Sequence, residues 1–302
     1  MMRRFVAGVV VAGLLGTLVL GAAGGPVRAQ GILFPAFNET PIDIEARDGI
    51  EWLRHEKRFI ARGDVMVQQD DMVVHAEVVS VTYDDNHVAA GGDDGSDNDT
   101  SLGMGGAHIV LIEATGNVYL EGPSGSAYAE KAVYHIVNQT LALSGYQATI
   151  LHEDMILRAD KQFTYWHDNR LAVASGGAQV ERGRSVLGGD TLVAHFMTSA
   201  SGGLVLDKVD AYGDVFASDP SQRVTGQQGR YDANSGIADI LGDVAIYYGE
   251  QYLHGEHARF DFKRGVSRLM AGRQASQGGA KQRIRGVFDV EDLDEDKDDG
   301  KE

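Results

Sequence analysis

Between residues 41 and 270 apolar side chains recur at every second position. Val65 and Val67, then Met72, Val74 and Ala76, alternate with polar residues, as do Val244, Ile246 and Leu253, then Phe260 and Phe262. A period of two is the mark of a strand with one buried face. The 39 glycines against 5 prolines suit many strands joined by glycine turns. No capping residue followed by an i, i+3, i+4 apolar face announces a long helix. The pattern predicts an all-β chain.

The alternation is organised into a repeat. Gly63-Asp64-Val65, Gly116-Asn117-Val118, Gly213-Asp214-Val215 and Gly242-Asp243-Val244 are one motif in four places, with weaker copies starting at Gly145 and Gly176. Thirteen residues after the glycine stands a small residue, Ala76, Ala129, Gly189, Gly226 or Gly255; in the Gly145 copy the step is fourteen, to Ala159. The next residue is acidic in five of the six copies (Glu77, Glu130, Asp160, Asp190, Glu256) and Gln227 in the other, which reads as turn chemistry. Each copy is therefore predicted as a strand, a tight turn and a returning strand, with the glycine at a bend or bulge. Successive copies after the second start 29, 31, 37 and 29 residues apart. The first interval is 53 residues, and its surplus, 84–107, is an acidic insertion belonging on the surface.

Stacked units with one apolar face must close over it, as two packed or folded sheets. The inward positions are Phe59, Val65, Val67, Val74, Ala76, Val118, Leu120, Ile150, Leu157, Leu192, Val215, Ile240, Val244, Ile246, Leu253 and Phe260. Periodicity allows either a dry core or a groove along them.

The chain's ends carry other information. Arg3 and Arg4 precede an apolar run from Phe5 to Leu20, and Val27-Arg28-Ala29 supplies small residues for a cleavage site. Residues 1–29 are predicted as a signal peptide, 30–40 as a linker, and the rest as exported. Without Arg3, Arg4 and Arg28 the 27 basic residues fall to 24 against 44 acids, a formal charge of −20. That disfavours nucleic acid as a partner. Residues 271–302 read as a disordered tail, with nine acids between Asp289 and Glu302. The absence of cysteine leaves sheet and core alone to hold the exported fold.

Three linked segments resemble a known family. Pro41-Ile42-Asp43-Ile44-Glu45-Ala46, then Gly63-Asp64-Val65-Met66-Val67, then Met72-Val73-Val74-His75-Ala76-Glu77 are similar to the Ile-x-Ile-x-Ala, Gly-Asn-Val-x-Val and Leu-x-Ala-Asp pattern of the OstA-like (LptA) repeat family. The resemblance runs from about 41 to 270. It implies a curved antiparallel β-jellyroll, V-shaped in section, whose apolar groove is lined by the inward residues above. It further implies a periplasmic bridge that passes lipopolysaccharide, held by its lipid A acyl chains, from an LptC-like inner-membrane protein to an LptD-like outer-membrane protein. Head-to-tail copies would join edge to edge, with Ile42 and Ile44 on the N-terminal edge strand.

No catalytic, cofactor or metal site is predicted. The Gly-x-Ser-x-Gly, His-Glu-x-x-His and Gly-Lys phosphate motifs are missing from the sequence. His254 and His257, three apart, should point to opposite faces of a strand, while His75 and His152 should face solvent. Asp93, Asp94, Asp97 and Asp99 lack the spacing of a calcium loop. Tyr134, Tyr165, Trp166 and Tyr248 are open to two readings, sugar stacking or ordinary strand aromatics. Two other functions stay open: a membrane-anchored LptC-like subunit with an uncleaved first segment, and an exported structural β-repeat protein that binds no lipid.

Overall fold

The computed structural model describes residues 42–84, 108–200, 203–271 and 284–287. Apart from a 3-10 turn at Arg54–Glu56, its regular elements are strands. They are β1 (Asp43–Glu45), β2 (Gly49–Leu53), β3 (Arg58–Gln69), β4 (Met72–Asp84), β5 (His108–Gly122), β6 (Gly125–His135), β7 (Thr140–Ser144), β8 (Ala148–His152) and β9 (Met155–Ala159). After these come β10 (Gln162–Trp166), β11 (Leu171–Arg182), β12 (Ser185–Thr198), β13 (Leu204–Ser218), β14 (Arg223–Asp232), β15 (Ile237–Tyr248), β16 (Gln251–Asp261), β17 (Val266–Met270) and β18 (Arg285–Val287). The chain is all-β, with antiparallel pairing between successive strands, as its alternation predicts. The signal segment and linker, and residues 85–107 of the insertion, lie outside the described residues.

The chain forms two compact units. Among the described residues the front unit contains 42–183 and 191–207, and the rear unit 184–190 and 208–287. In the front unit each long strand is bent, and its two halves join different layers. One layer runs β2, first half of β3, second half of β4, first half of β5, second half of β6, β7, β10, first half of β11. The other runs β1, the remaining halves of β3, β4, β5 and β6, then β8, β9 and the end of β11. This is the folded, two-layer arrangement of a jellyroll. In the rear unit β13 to β16 form the same bent meander, and β17 and β18 add to the two halves of β16.

The thirteen-residue step is a hairpin register. Val65 lies opposite Ala76, Val118 opposite Ala129, Val215 opposite Gly226 and Val244 opposite Gly255. In each hairpin the register slips just before these pairs, where two residues face one. That slip is a β-bulge, which kinks the strand and steepens its twist. Both bulge residues take left-handed dihedrals, Gly63 and Asp64 at φ 79° and 48°, Gly116 and Asn117 at 81° and 46°. Glycine tolerates this region freely, and Asn or Asp best among the others. The Gly-Asx motif is therefore the corner itself.

The core follows the inward positions on both sides of each corner. Val65, Val79, Val118, Leu143, Val215, Val244 and Phe260 are all but closed to water. Ala76 and Val79, three apart, are both buried, because the chain turns the corner between them. The strand β18 falls in the segment read from sequence as tail; Ile284 and Val287 flank Arg285-Gly286 there, and a composition average dominated by acids hides so short an apolar stretch. Asp84 and His108 pair directly, so the insertion leaves and re-enters the sheet at one point.

Leu143→Ala should cost about 2–5 kcal/mol of stability, because it opens a cavity in a closed core. Leu241→Ala, on a side chain 41% exposed, should stay within about 0.5 kcal/mol. Urea unfolding followed by circular dichroism measures both.

Candidate functional site

The candidate site is the inward face. Val65, Val67, Ala76, Val118, Leu120, Ile150, Leu192, Val215, Ile240, Val244, Ile246 and Phe260 are buried, while Phe59, Val74, Leu157 and Leu253 are half-buried. Strand register brings them into rows. In the front unit Val67, Val74, Leu120, Ala127, Ile150, Leu157 and Val180 stand side by side across seven strands. A second row in the other layer contains Phe59, Val81, Ile112, Tyr134, Leu141 and Tyr165. In the rear unit Val224, Ile246 and Leu253 form one such row, and Ala211, Gly229, Ile240 and Ala258 another. Leu192 belongs to the front unit and Val215 to the rear.

Polar atoms interrupt this face at few points. The hydroxyls of Tyr165 and Tyr231 are buried without a hydrogen-bond partner, and so is Gln139 Oε1. Burial raises both phenols above their ordinary pKa; the nearby Asp232 carboxylate adds to the effect at Tyr231, whereas Arg170 opposes it at Tyr165. The sugar-stacking reading of Tyr134 and Tyr165 fails, because both rings are buried in the inward row. Tyr248 is half exposed and Trp166 half-buried.

The acids after the small residue prove to do more than shape turns. Glu77 lies against Gly116 of the following copy, where an added Cβ would sit 2.6 Å from Glu77 Oε2. Asn117 Nδ2 donates to Glu77 Oε1 at 2.7 Å. The same contact joins Glu130 to Gly145, Asp190 to Gly213 and Gln227 to Gly242, while Asp48 serves Gly63 at the start. At these joints one copy fills the space left by the next copy's glycine, whereas at Gly176 the filling residue is Lys161. In these copies the acid (or Gln227) and the following glycine are two halves of one joint, visible only once the strands are paired.

The outward face carries charge. In the rear unit Asp210, Arg230, Asp239 and Arg259 stand opposite one another on four strands. Arg230 Nε donates to Asp210 at 2.7 Å, and Arg259 reaches both oxygens of Asp239 at 2.9 and 3.0 Å. Tyr212, Gln228, Leu241 and His257 form a parallel row, and a cavity of about 310 Å³ lies over the two. His257 pairs with Asp239 at 2.6 Å and His254 with Asp243 at 2.7 Å. Both histidines face outward, contrary to the expectation from a flat strand, because the corner lies between them. His75 is exposed and stacks on Tyr119; His152 shares a hydrogen bond with the Ser124 carbonyl at 2.8 Å. Burial works to raise Asp239, but the hydrogen bonds from Arg259 and His257 prevail and hold its carboxyl below the ordinary range.

At the N-terminal edge β1 pairs with β3 through Ile44 and Val67. Ile42 and Ile44 are half-buried, while Asp43 and Glu45 are exposed.

Bent antiparallel strands with a Gly-Asx corner in four of the repeats define a β-repeat protein of the jellyroll class. Residues 43–168 match the family model described as LptA/(LptD N-terminal domain) LPS transport protein. The corners at Gly213 and Gly242 continue the same construction beyond the matched segment. No curated protein matches the chain. Among solved structures, the chain is similar to LptH of Pseudomonas aeruginosa, described as the LptA homologous periplasmic component of the conserved lipopolysaccharide transport device. The identity is 11% over 84% of this chain and 99% of that one, with a TM-score of 0.20.

Gly116→Ala should cost about 2–3 kcal/mol, from a left-handed φ combined with collision at Glu77. Gly183→Ala, with open space around it, should cost only about 1 kcal/mol. Denaturant midpoints compare them. For Asp239, a folded pKa below the unfolded value of about 3.9 gives stability that is present above that value and lost as pH falls through the folded one. Asp239→Asn should therefore be less stable than the parent at pH 6, with the gap narrowing below about pH 4 in a urea series.

Proposed function

We propose that this chain is a periplasmic carrier in lipopolysaccharide transport, holding the lipid by its acyl chains along the inward face. The observation behind the reading is the row of aliphatic side chains from Val67 to Val180, continued strand after strand and matched by similar rows in the rear unit. The family match supports it. Burying an acyl chain is worth roughly 0.8 kcal/mol per CH₂, so a chain of a dozen carbons gains about 10 kcal/mol gross. No specific headgroup contact is then needed, and neighbouring positions along a uniform row differ little in energy, so the lipid can slide. The formal charge of −17 on the whole chain favours keeping phosphate-bearing sugar out of the interior.

On this reading the lipid arrives from an LptC-like inner-membrane protein and leaves to an LptD-like outer-membrane protein. Edge strands make the contacts, β1 with Ile42 and Ile44 among them, by strand addition to a partner or to a second copy. The first 29 residues direct export and are removed. The protein has no catalytic step.

One observation favours a second reading, an exported structural β-repeat with a dry core: Val65 and Val244 have no accessible surface. Photo-crosslinking amino acids at Val67, Val74 and Ile246, with outward controls at His75 and Tyr247, separate the two in cells. The carrier reading expects lipopolysaccharide adducts from the inward positions alone, and depletion of the protein should halt delivery to the outer surface. Adducts from none of the five positions would leave the structural reading standing.

A further inference from the structure

The two orphaned hydroxyls on the inward face occupy equivalent places. Tyr165 stands two residues before the turn beginning at His167, and Tyr231 two residues before the turn that starts at Ala233. Tyr134 occupies the same place before the turn at Ile136, directly beside Leu141, whose other neighbour is Tyr165. Corresponding positions in other hairpins hold Val81 and Phe260, both buried. The fold therefore accepts an aliphatic side chain or a plain phenyl ring there. A hydroxyl that adds no packing and meets no partner works against the empty protein, since a buried unsatisfied polar group costs about 1–3 kcal/mol. Gln139 Oε1 is orphaned in the turn whose carbonyl accepts from His167, so donor and acceptor lack partners on adjacent turns.

Tyr165 is 8% exposed and Tyr231 3%. Both lie on the row nearest the hairpin ends, away from the corner, while the residues nearest the corner, such as Leu143 and Ile240, are purely apolar. An amphiphile with its tail toward the corner would carry its oxygens to this row. We propose that the Tyr165 and Tyr231 hydroxyls are hydrogen-bonding positions for a hydroxyl borne on a bound acyl chain. The inference rests on the carrier reading and gives it a chemical preference: hydroxylated acyl chains over unsubstituted ones. An incoming oxygen satisfies a group that the empty interior leaves unpaired, so part of the cost of parting the packed side chains is returned.

The test uses the exported chain and two probes, tetradecanoic acid and 3-hydroxytetradecanoic acid, each displacing a fluorescent apolar dye. The unmodified protein should bind the hydroxylated chain about threefold to tenfold more tightly. Tyr165→Phe and Tyr231→Phe should each reduce that ratio, and the double variant should bring it close to one with tetradecanoate affinity unchanged. Thermal unfolding without lipid should show the Phe variants as stable as the parent or more so. Equal binding of both probes by the unmodified protein would overturn the inference and leave the carrier reading intact, whereas binding of neither would remove both. A fall in the melting temperature of the lipid-free Phe variants would show that the hydroxyls already have a partner, such as a held water, and would also overturn it.

Discussion

Everything in this protein depends on a chain that must turn sharply while remaining hydrogen-bonded on both sides. A regular strand cannot do so. Two consecutive residues in the left-handed region can, and Gly followed by Asp or Asn is the cheapest pair to hold there. Once one strand bends, its neighbours must bend at the same level or lose their pairing. The acid set against the next glycine enforces that alignment, because its side chain occupies the space a Cβ would need. Corner and joint are one device, repeated.

From that device the apolar interior follows. Bending every strand along one line folds a sheet into two layers, and alternation then delivers the same set of residues to the inside of each. Ala76, Ala129 and Gly226 are small because they face the bulge from across the hairpin, where Gly226 meets the Ile240 side chain. Larger side chains, Leu120 and Phe260, fill the space further from it. The outer face is free to carry charge, and its ion pairs run across the strands in the order Asp210, Arg230, Asp239, Arg259. In these pairs the arginines are exposed while Asp210 and Asp239 are largely shielded, so water screens them from one side only.

Much of this was legible in the sequence. Period-two alternation named the strands, and the constant step from glycine to small residue turned out to be a hairpin register. The sixteen inward residues all lie buried or half-buried. The misreading of the histidine pair has its physical origin in the corner. His254 and His257 should oppose each other on a straight strand but do not on a bent one. Glu77 and its counterparts looked like turn residues because their contact is with a glycine 39 positions further on for Glu77, invisible until the strands are laid together. The unpaired hydroxyls of Tyr165 and Tyr231 carry no sequence signal at all, since an aromatic on a strand is ordinary; only the absence of a partner marks them.

The way the insertion enters the sheet has a bearing on how such a chain can change. Asp84 and His108 face each other across β4 and β5, so whatever lies between them hangs from a closed hairpin end and disturbs no corner. Hairpin ends are therefore places where length is free, and corners are places where it is quantised. A sheet built this way can gain or lose material in two manners: any amount at the ends of its hairpins, or one whole strand-corner-strand unit at a time. The width of each sheet should vary in steps of a repeat, while its loops drift without consequence for the joint.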